Sequence, residues 1–184
     1  YLFDMWRNPL VNDTYEPGST FKLLVSSAAL EEGTITNEDT FYCGTSITIA
    51  GIRLHCWSTK DHGSQTIREA LGNSCNPALA AIATKMGTDT LYKYLDLYGI
   101  TETTGVDYPG ETGSIMYAKE NVGPVELATM GYGQSISVTP IQLLTAVSSI
   151  GNDGVLVQPK YVKALTNAEG DVVKENKSKE IRKV

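Results

Sequence analysis

Tyr15-Glu16-Pro17-Gly18-Ser19-Thr20-Phe21-Lys22 opens the run Leu23-Leu24-Val25-Ser26-Ser27-Ala28-Ala29-Leu30 and sets a hydroxyl and an amine three residues apart. Residues at that spacing share one face of a helix, so the Lys22 amine can reach the Ser19 oxygen, and a helix N-terminus favours negative charge developing there. A serine hydroxyl is weak at its free pKa and needs such a base. The plainer reading is an N-cap serine followed by a solvated lysine. The context favours chemistry: Phe21 to Leu30 is apolar on nearly all sides, with Ser19, Lys22 and Ser26 as one narrow polar stripe. Such a helix is buried, and desolvation lowers a lysine pKa toward that of a usable base.

Working outward, Gly33 stops this first helix, which is predicted to run from about Ser19 to Glu32. Residues 1–18 read as an irregular approach with one short strand. Residues 40–57, bent at Gly44 and Gly51, read as a small hairpin insertion extending to about residue 64. Thr66-Ile67-Arg68-Glu69 fits a capping box opening a second helix. Asn76-Pro77 reads as the cap and first-turn proline of a third helix to about Met86, and Gly87 separates it from a fourth over about Thr88 to Tyr98. Pro124 to Met130 is a short helix, and Thr139-Pro140-Ile141-Gln142 opens a capped one to about Ile150. Strands are expected at 155–158 and 161–165, with the charged segment 174–184 a solvated strand or linker.

Composition narrows the function. With 184 residues, 41% hydrophobic and 20% charged, the chain can bury one substantial core. A net charge of −6 and scattered basic residues argue against a nucleic-acid surface. No apolar run reaches membrane-spanning length. Three cysteines, an odd count, do not form a disulfide framework.

A second chemical site is Ser74-Cys75-Asn76, between two predicted helices. It can present a hydroxyl for proton relay and a carboxamide for orienting a lysine or a substrate amide. Alternatively Asn76 caps its helix and Ser74 closes the preceding one.

Together, Tyr-Glu-Pro-Gly-Ser-Thr-Phe-Lys at 15–22, Asn-Ser-Cys-Asn-Pro at 73–77 and Tyr-Gly-Gln-Ser-Ile-Ser-Val-Thr-Pro-Ile-Gln-Leu at 132–143 closely resemble the transpeptidase domain of class B, monofunctional penicillin-binding proteins. The resemblance runs from about Trp6 to Leu165. It implies an α+β fold of the penicillin-binding-protein and serine β-lactamase type, here mainly its helical part with an incomplete antiparallel sheet and the hairpin insertion. It implies one partial transpeptidase domain over 1–184. It also implies acyl transfer on peptidoglycan stem peptides. Ser19 would attack the carbonyl of a D-Ala-D-Ala donor, Lys22 would take its proton, Ser74 would pass a proton to the departing D-alanine, and Asn76 would hold Lys22 or the donor amide. β-Lactams would mimic the donor, cell-wall synthesis proteins would be partners, and no catalytic cofactor is implied. The implied setting is the outer face of a bacterial cytoplasmic membrane, with an anchor upstream.

The family's third motif, Lys-Thr-Gly, does not occur after Asn76. The chain therefore reads as a fragment whose catalytic sheet is incomplete, and three readings follow: a transpeptidase part, a β-lactamase or β-lactam sensor, and a non-catalytic structural piece. A β-lactamase would need a deacylating base, for which the loop 102–122 offers Glu102, Glu111 and Glu120 without a motif around them.

Cys43, His55, Cys56, Asp61 and His62 fall within twenty residues. Zinc takes four ligands of these kinds. Neighbours on a strand point to opposite faces, which sets His55 against Cys56. Cys43, Cys56, Asp61 and His62 are thus the more feasible set for a structural zinc; the alternative is two buried cysteines and a structural turn at His62-Gly63. Cys75 is expected to be a free buried thiol.

Overall fold

A computed structural model of the protein describes residues 6–184. In chain order it carries α1 (Pro9–Asn12), a 3-10 turn (Gly18–Phe21), α2 (Lys22–Glu31), β1 (Thr40–Cys43), β2 (Ser46–Ile49), β3 (Ile52–His55), β4 (Gly63–Thr66), α3 (Ile67–Gly72) and α4 (Asn76–Leu97). There follow β5 (Ile115–Met116), a 3-10 turn (Lys119–Asn121), α5 (Pro124–Met130), β6 (Ile136–Ser137), α6 (Pro140–Ile150), β7 (Val155–Val157), β8 (Ala164–Thr166), β9 (Val172–Glu175) and β10 (Glu180–Lys183). The mixture is α+β, and the strands form five separate antiparallel pairs among the described residues. The backbone divides into two compact units, one of residues 15–94 and 115–137, the other of the remaining segments.

In the first of these units Phe21, Leu24, Ile67, Leu79, Ile82, Leu91, Met130 and Ile136 are buried. The helix expected from Ser19 begins instead as a 3-10 turn, because Gly18 enters it at φ +56 and the Thr20 hydroxyl donates to the Pro17 carbonyl at 2.8 Å. The expected hairpin is built differently from the sequence reading. β2 and β3 pair across Ala50-Gly51, both at positive φ, while β1 pairs with β4 so that Cys43 faces Gly63 and Phe41 faces Gln65. α3 carries the capping box at Thr66 and Glu69. The expected third and fourth helices meet at Gly87, whose φ of 81 and ψ of 162 interrupt the helical path. The end of α5 lies so close to α4 that a Cβ at Gly131 would stand 2.5 Å from the Leu79 carbonyl oxygen.

In the other unit Val11, Leu95, Tyr98, Ile100, Val138, Leu143, Ala146 and Leu156 are buried. Thr139 caps α6 with Gln142 in a second capping box, and the buried Gln142 side chain donates to the Glu102 carbonyl at 2.7 Å. The approach segment holds the short helix α1 where a strand was expected, since Asn8 caps it and Pro9 starts it. Residues 1–5 of that reading lie outside the described residues. The charged tail is more ordered than a linker. β9 pairs with β8, and β10 pairs with β7, Arg182 opposite Leu156, with the Arg182 guanidinium donating to the Asp96 carbonyl at 3.1 Å.

Candidate active site

The loop that presents Ser19 is clamped by backbone. Gly18 N–H donates to the Gly133 carbonyl at 2.9 Å, and a Cβ on Gly133, which sits at φ +78, would stand 2.2 Å from the Gly18 carbonyl oxygen. Two residues on, Ser135 N–H donates to the Glu16 carboxylate at 2.8 Å. Residues 132–137 thus hold the serine loop from behind. The sequence reading gave Tyr-Gly-Gln-Ser no such role, because contact between segments so distant in sequence leaves no local pattern.

Ser74 is placed by the frayed end of α3. Asn73, Ser74 and Cys75 donate their backbone N–H groups to Glu69, Leu71 and Ala70, at 2.8, 3.0 and 2.8 Å. That path forces Ser74 to φ +49, a left-handed conformation that costs a non-glycine residue roughly 1–2 kcal/mol. The conformation turns both oxygens of Ser74 toward Lys22. Lys22 Nζ donates to the Ser74 carbonyl at 2.7 Å, to the Ser74 hydroxyl at 3.0 Å and to Asn76 Oδ1 at 2.8 Å. Ser74 Oγ in turn donates to Ser19 Oγ at 2.8 Å. The described partner of the Ser19 oxygen is therefore Ser74, and the lysine stands one hydroxyl further along.

Asn76 starts α4, yet its carboxamide is engaged elsewhere, taking Lys22 on Oδ1 and donating through Nδ2 to the His55 carbonyl at 3.2 Å. Trp57, unremarked in the sequence, donates its indole N–H to the Asn73 carbonyl at 2.8 Å and ties the hairpin to the same turn. Lys22 is 1% exposed. Burial pushes its pKa down to about 8, against a smaller upward pull from Cys75 and Cys56. At neutral pH roughly a tenth of such an amine is a free base, enough to accept a proton. Of the glutamates in loop 102–122, Glu111 is taken up by the Thr104 and Gly105 amides at 2.7 and 2.9 Å.

A separate convergence lies beneath the turn. The sulfurs of Cys43, Cys56 and Cys75 and a ring nitrogen of His62 all fall within 4.8 Å of one another, with Cys56 Sγ 3.9 Å from His62 Nδ1. Three thiols and an imidazole are ligand types that zinc takes, and tetrahedral zinc with bonds near 2.3 Å to sulfur separates its ligands by about 3.8 Å. Three of the four residues expected from the sequence are in the cluster. Asp61 is not, because its carboxylate accepts from the Tyr42 hydroxyl at 3.0 Å and the Gly63 amide at 2.5 Å. Its place is filled by Cys75, which the sequence reading treated as a plain buried thiol. Burial raises the Cys75 thiol to about 12. Burial also pushes Cys56 upward, but the Ser58 and Asn76 amides and the neighbouring thiols bring it below the ordinary thiol value.

The described helices include none long and apolar enough to cross a membrane. The chain is 40% identical over 190 residues to stage V sporulation protein D of Bacillus subtilis, covering 96% of this chain and 29% of that protein. It is 28% identical to the probable peptidoglycan D,D-transpeptidase PenA of Neisseria meningitidis, covering 96% of this chain and 30% of that one. The chain thus spans less than a third of the length of these relatives. Among solved structures, penicillin binding protein 3 from Mycobacterium tuberculosis complexed with aztreonam superposes with a TM-score of 0.83 at 29% identity, covering 95% of this chain and 39% of that one. The model of the penicillin binding protein transpeptidase domain matches residues 2–184, and the chain belongs to that family.

Proposed function

We propose that this chain is the serine-bearing part of a peptidoglycan D,D-transpeptidase that crosslinks stem peptides through an acyl-serine intermediate. The supporting observation is the continuous hydrogen-bonded chain Ser19, Ser74, Lys22, Asn76 around a buried lysine of lowered pKa. With Lys22 as the free amine, the two hydroxyls turn round: Ser19 donates to Ser74 and Ser74 to Lys22 Nζ. Ser19 Oγ then bonds the carbonyl carbon of the penultimate D-alanine while its proton moves to Ser74 and the Ser74 proton to Lys22. The Ser19 backbone N–H would serve as one donor to the developing oxyanion, a contribution worth about 3 kcal/mol of barrier in acyl transfer.

Collapse breaks the amide C–N bond, and the departing D-alanine nitrogen takes a proton from Ser74, which is refilled from the Lys22 ammonium. An acceptor amine then attacks the ester and gives its proton to the same relay. The new amide forms as the ester C–O bond breaks, and Ser19 recovers its hydrogen. A β-lactam would enter by the first half of this path and stay on Ser19. Peptidoglycan lies outside the cytoplasmic membrane, so the working site would be its extracytoplasmic face.

Within the same reading, Cys43, Cys56, Cys75 and His62 would hold a structural zinc ion. Its contribution would be to pin the insertion to the turn that carries Ser74 and Asn76, with no step of acyl transfer passing through it.

The test is the intact mass of the 184-residue chain after incubation with a simple penicillin, with the adduct mapped by digestion. One penicilloyl group on Ser19, absent in Ser19→Ala, is expected. Rapid turnover without an adduct would replace the transpeptidase reading with a β-lactamase. A folded chain that neither binds nor hydrolyses penicillin would replace it with a structural role.

A further inference from the structure

α3 ends in a register that its own sequence does not favour. Ser74 N–H donates to the Leu71 carbonyl at 3.0 Å and Cys75 N–H to the Ala70 carbonyl at 2.8 Å, the paired bonds of a helix end whose left-handed residue is Ser74. Glycine and asparagine usually take that place, and here they stand just before it, at Gly72 and Asn73. Yet Gly72 is the last helical residue, and Asn73 is a right-handed cap at φ −81 and ψ −4. A left-handed serine is disfavoured by roughly 5–30-fold, so α3 has a competing end one residue earlier, with Asn73 left-handed. In that register Ser74 loses the conformation that brings both of its oxygens to Lys22 and its hydroxyl to Ser19.

What stands against the competing end is Asn73 itself, held at two atoms. Its Nδ2 donates to Gln65 Oε1 at 3.0 Å, and its carbonyl accepts from the Trp57 indole N–H at 2.8 Å. Both partners belong to anchored segments. Gln65 is 2% exposed on β4, opposite Phe41 of β1, and the same strand runs into the capping box that starts α3. The Gln65 bond therefore spans α3 from the residue before its N-cap to its C-cap, and fixes where the helix stops as well as where it starts. Trp57 follows β3, whose last residue, His55, accepts from the Asn76 carboxamide. A left-handed Asn73 would turn its carbonyl off Trp57 and its side chain off Gln65. Two hydrogen bonds of ordinary strength weigh about 2–12-fold each, together the size of bias the strained serine requires. The Lys22 bonds to Ser74 favour the same register but change with the protonation of the amine, whereas those of Asn73 do not.

We propose that Asn73 is a positioning residue: with its carboxamide on Gln65 and its carbonyl on Trp57, it holds the end of α3 in the register that makes Ser74 the left-handed residue and delivers its hydroxyl to Ser19. The assignment rests on the acyl-transfer reading above.

The experiment is saturation kinetics of acylation by benzylpenicillin with the full chain, which separates the limiting rate from the half-saturating concentration. Gln65→Leu and Trp57→Phe each remove one hold and leave Asn73 in place. Each is expected to lower the limiting rate by roughly 2–12-fold at an unchanged half-saturating concentration, and their combination by more than about tenfold. Adding Asn73→Ala to Gln65→Leu removes the residue that favours the competing end, and is expected to recover most of the lost rate. Glu69→Ala breaks the capping box at the other end of α3 and is expected to keep the wild-type limiting rate in folded protein. Should Gln65→Leu not fold, Trp57→Phe, a change at an exposed ring, carries the same expectation. A wild-type limiting rate in the folded Gln65→Leu/Trp57→Phe chain would overturn the assignment alone, as would Gln65→Leu/Asn73→Ala no faster than Gln65→Leu. A change in the half-saturating concentration alone would make Trp57 a ligand contact and overturn it equally. A folded wild-type chain that forms no adduct would overturn the acyl-transfer reading and this role with it.

Discussion

Lys22 Nζ stands 2.7 Å from the carbonyl oxygen of Ser74 and 3.0 Å from its hydroxyl, so a single residue in a left-handed conformation meets the buried amine with both of its oxygens. The left-handed backbone is what brings the carbonyl and the side chain to one side. The same hydroxyl reaches Ser19 at 2.8 Å. In the proposed mechanism, activation of Ser19 is therefore as much a property of the turn at 73–76 as of the 3-10 turn that bears Ser19 and the helix that begins at Lys22.

Acylation by penicillin should rise with pH through a midpoint near 8. In the proposed mechanism the reacting form is the free amine of Lys22, and burial is the larger influence that brings its pKa down to about 8 from 10.5. The sign follows: below the midpoint the ammonium dominates and Ser19 has no base, above it the rate levels off. Measured second-order acylation rates between about pH 6 and 9.5 would show this, after subtraction of spontaneous β-lactam hydrolysis. A limb still climbing at the top of that range would place the lysine near its ordinary value and refute the desolvation argument.

Asn76→Asp should keep the shape of the site and slow it. A carboxylate 2.8 Å from Lys22 Nζ favours the ammonium and is expected to move the midpoint upward by roughly 1–3 pH units. Acylation at pH 7 should fall accordingly and recover as the pH is raised. A uniform loss at every pH would instead indicate that the aspartate had displaced the turn through its lost donor to the His55 carbonyl.

Ser74→Ala and Ser74→Gly should be equally poor in acylation and unequal in stability. Both remove the relay hydroxyl, for which a loss of about 10²–10⁴-fold is expected. Glycine adopts φ +49 freely and alanine does not, so the glycine variant should be the more stable by roughly 1 kcal/mol in denaturant melts. Equal stability would mean that the turn relaxes once the hydroxyl is gone.

Much of this was readable beforehand because it is local. The capping boxes at Thr66 and Thr139, the break at Gly87 and the proline starts of α5 and α6 each depend on residues within a few positions of one another. Ser19 and Lys22 were visible for the same reason. What escaped was non-local. The pairing of β1 with β4 rather than with its sequence neighbour brings Cys43 over Gly63, and the end of α3 carries Cys75 beneath the hairpin, where it replaces Asp61 beside Cys56 and His62. No spacing rule links Cys75 to Cys43, and a lone glutamine on a short strand gives no sign that its amide will be buried against a turn. The clamp on Ser19 by Gly133 was likewise hidden, since it is a contact between two backbones.

That clamp supplies the last prediction. At φ +78 an alanine is strained by an amount of order 1–3 kcal/mol, and its Cβ would fall 2.2 Å from the Gly18 carbonyl oxygen, a distance no side chain can adopt. The backbone on one side must move. If residues 132–137 yield, the Gly18 amide loses its acceptor and the cost appears mainly as stability; if the Ser19 loop yields, the nucleophile leaves the Ser74 hydroxyl. The Glu16 carboxylate joins Ser135 to the serine side of the same contact, whereas β6 at Ile136–Ser137 is paired with β5, which anchors 132–137 to a second element and makes the serine loop the part that gives way. Gly133→Ala should therefore lower acylation by more than tenfold in protein that is still folded by circular dichroism, with a loss of roughly 3 kcal/mol in stability. Full acylation in a destabilised but folded variant would show that the clamp supports the fold and leaves Ser19 where it is.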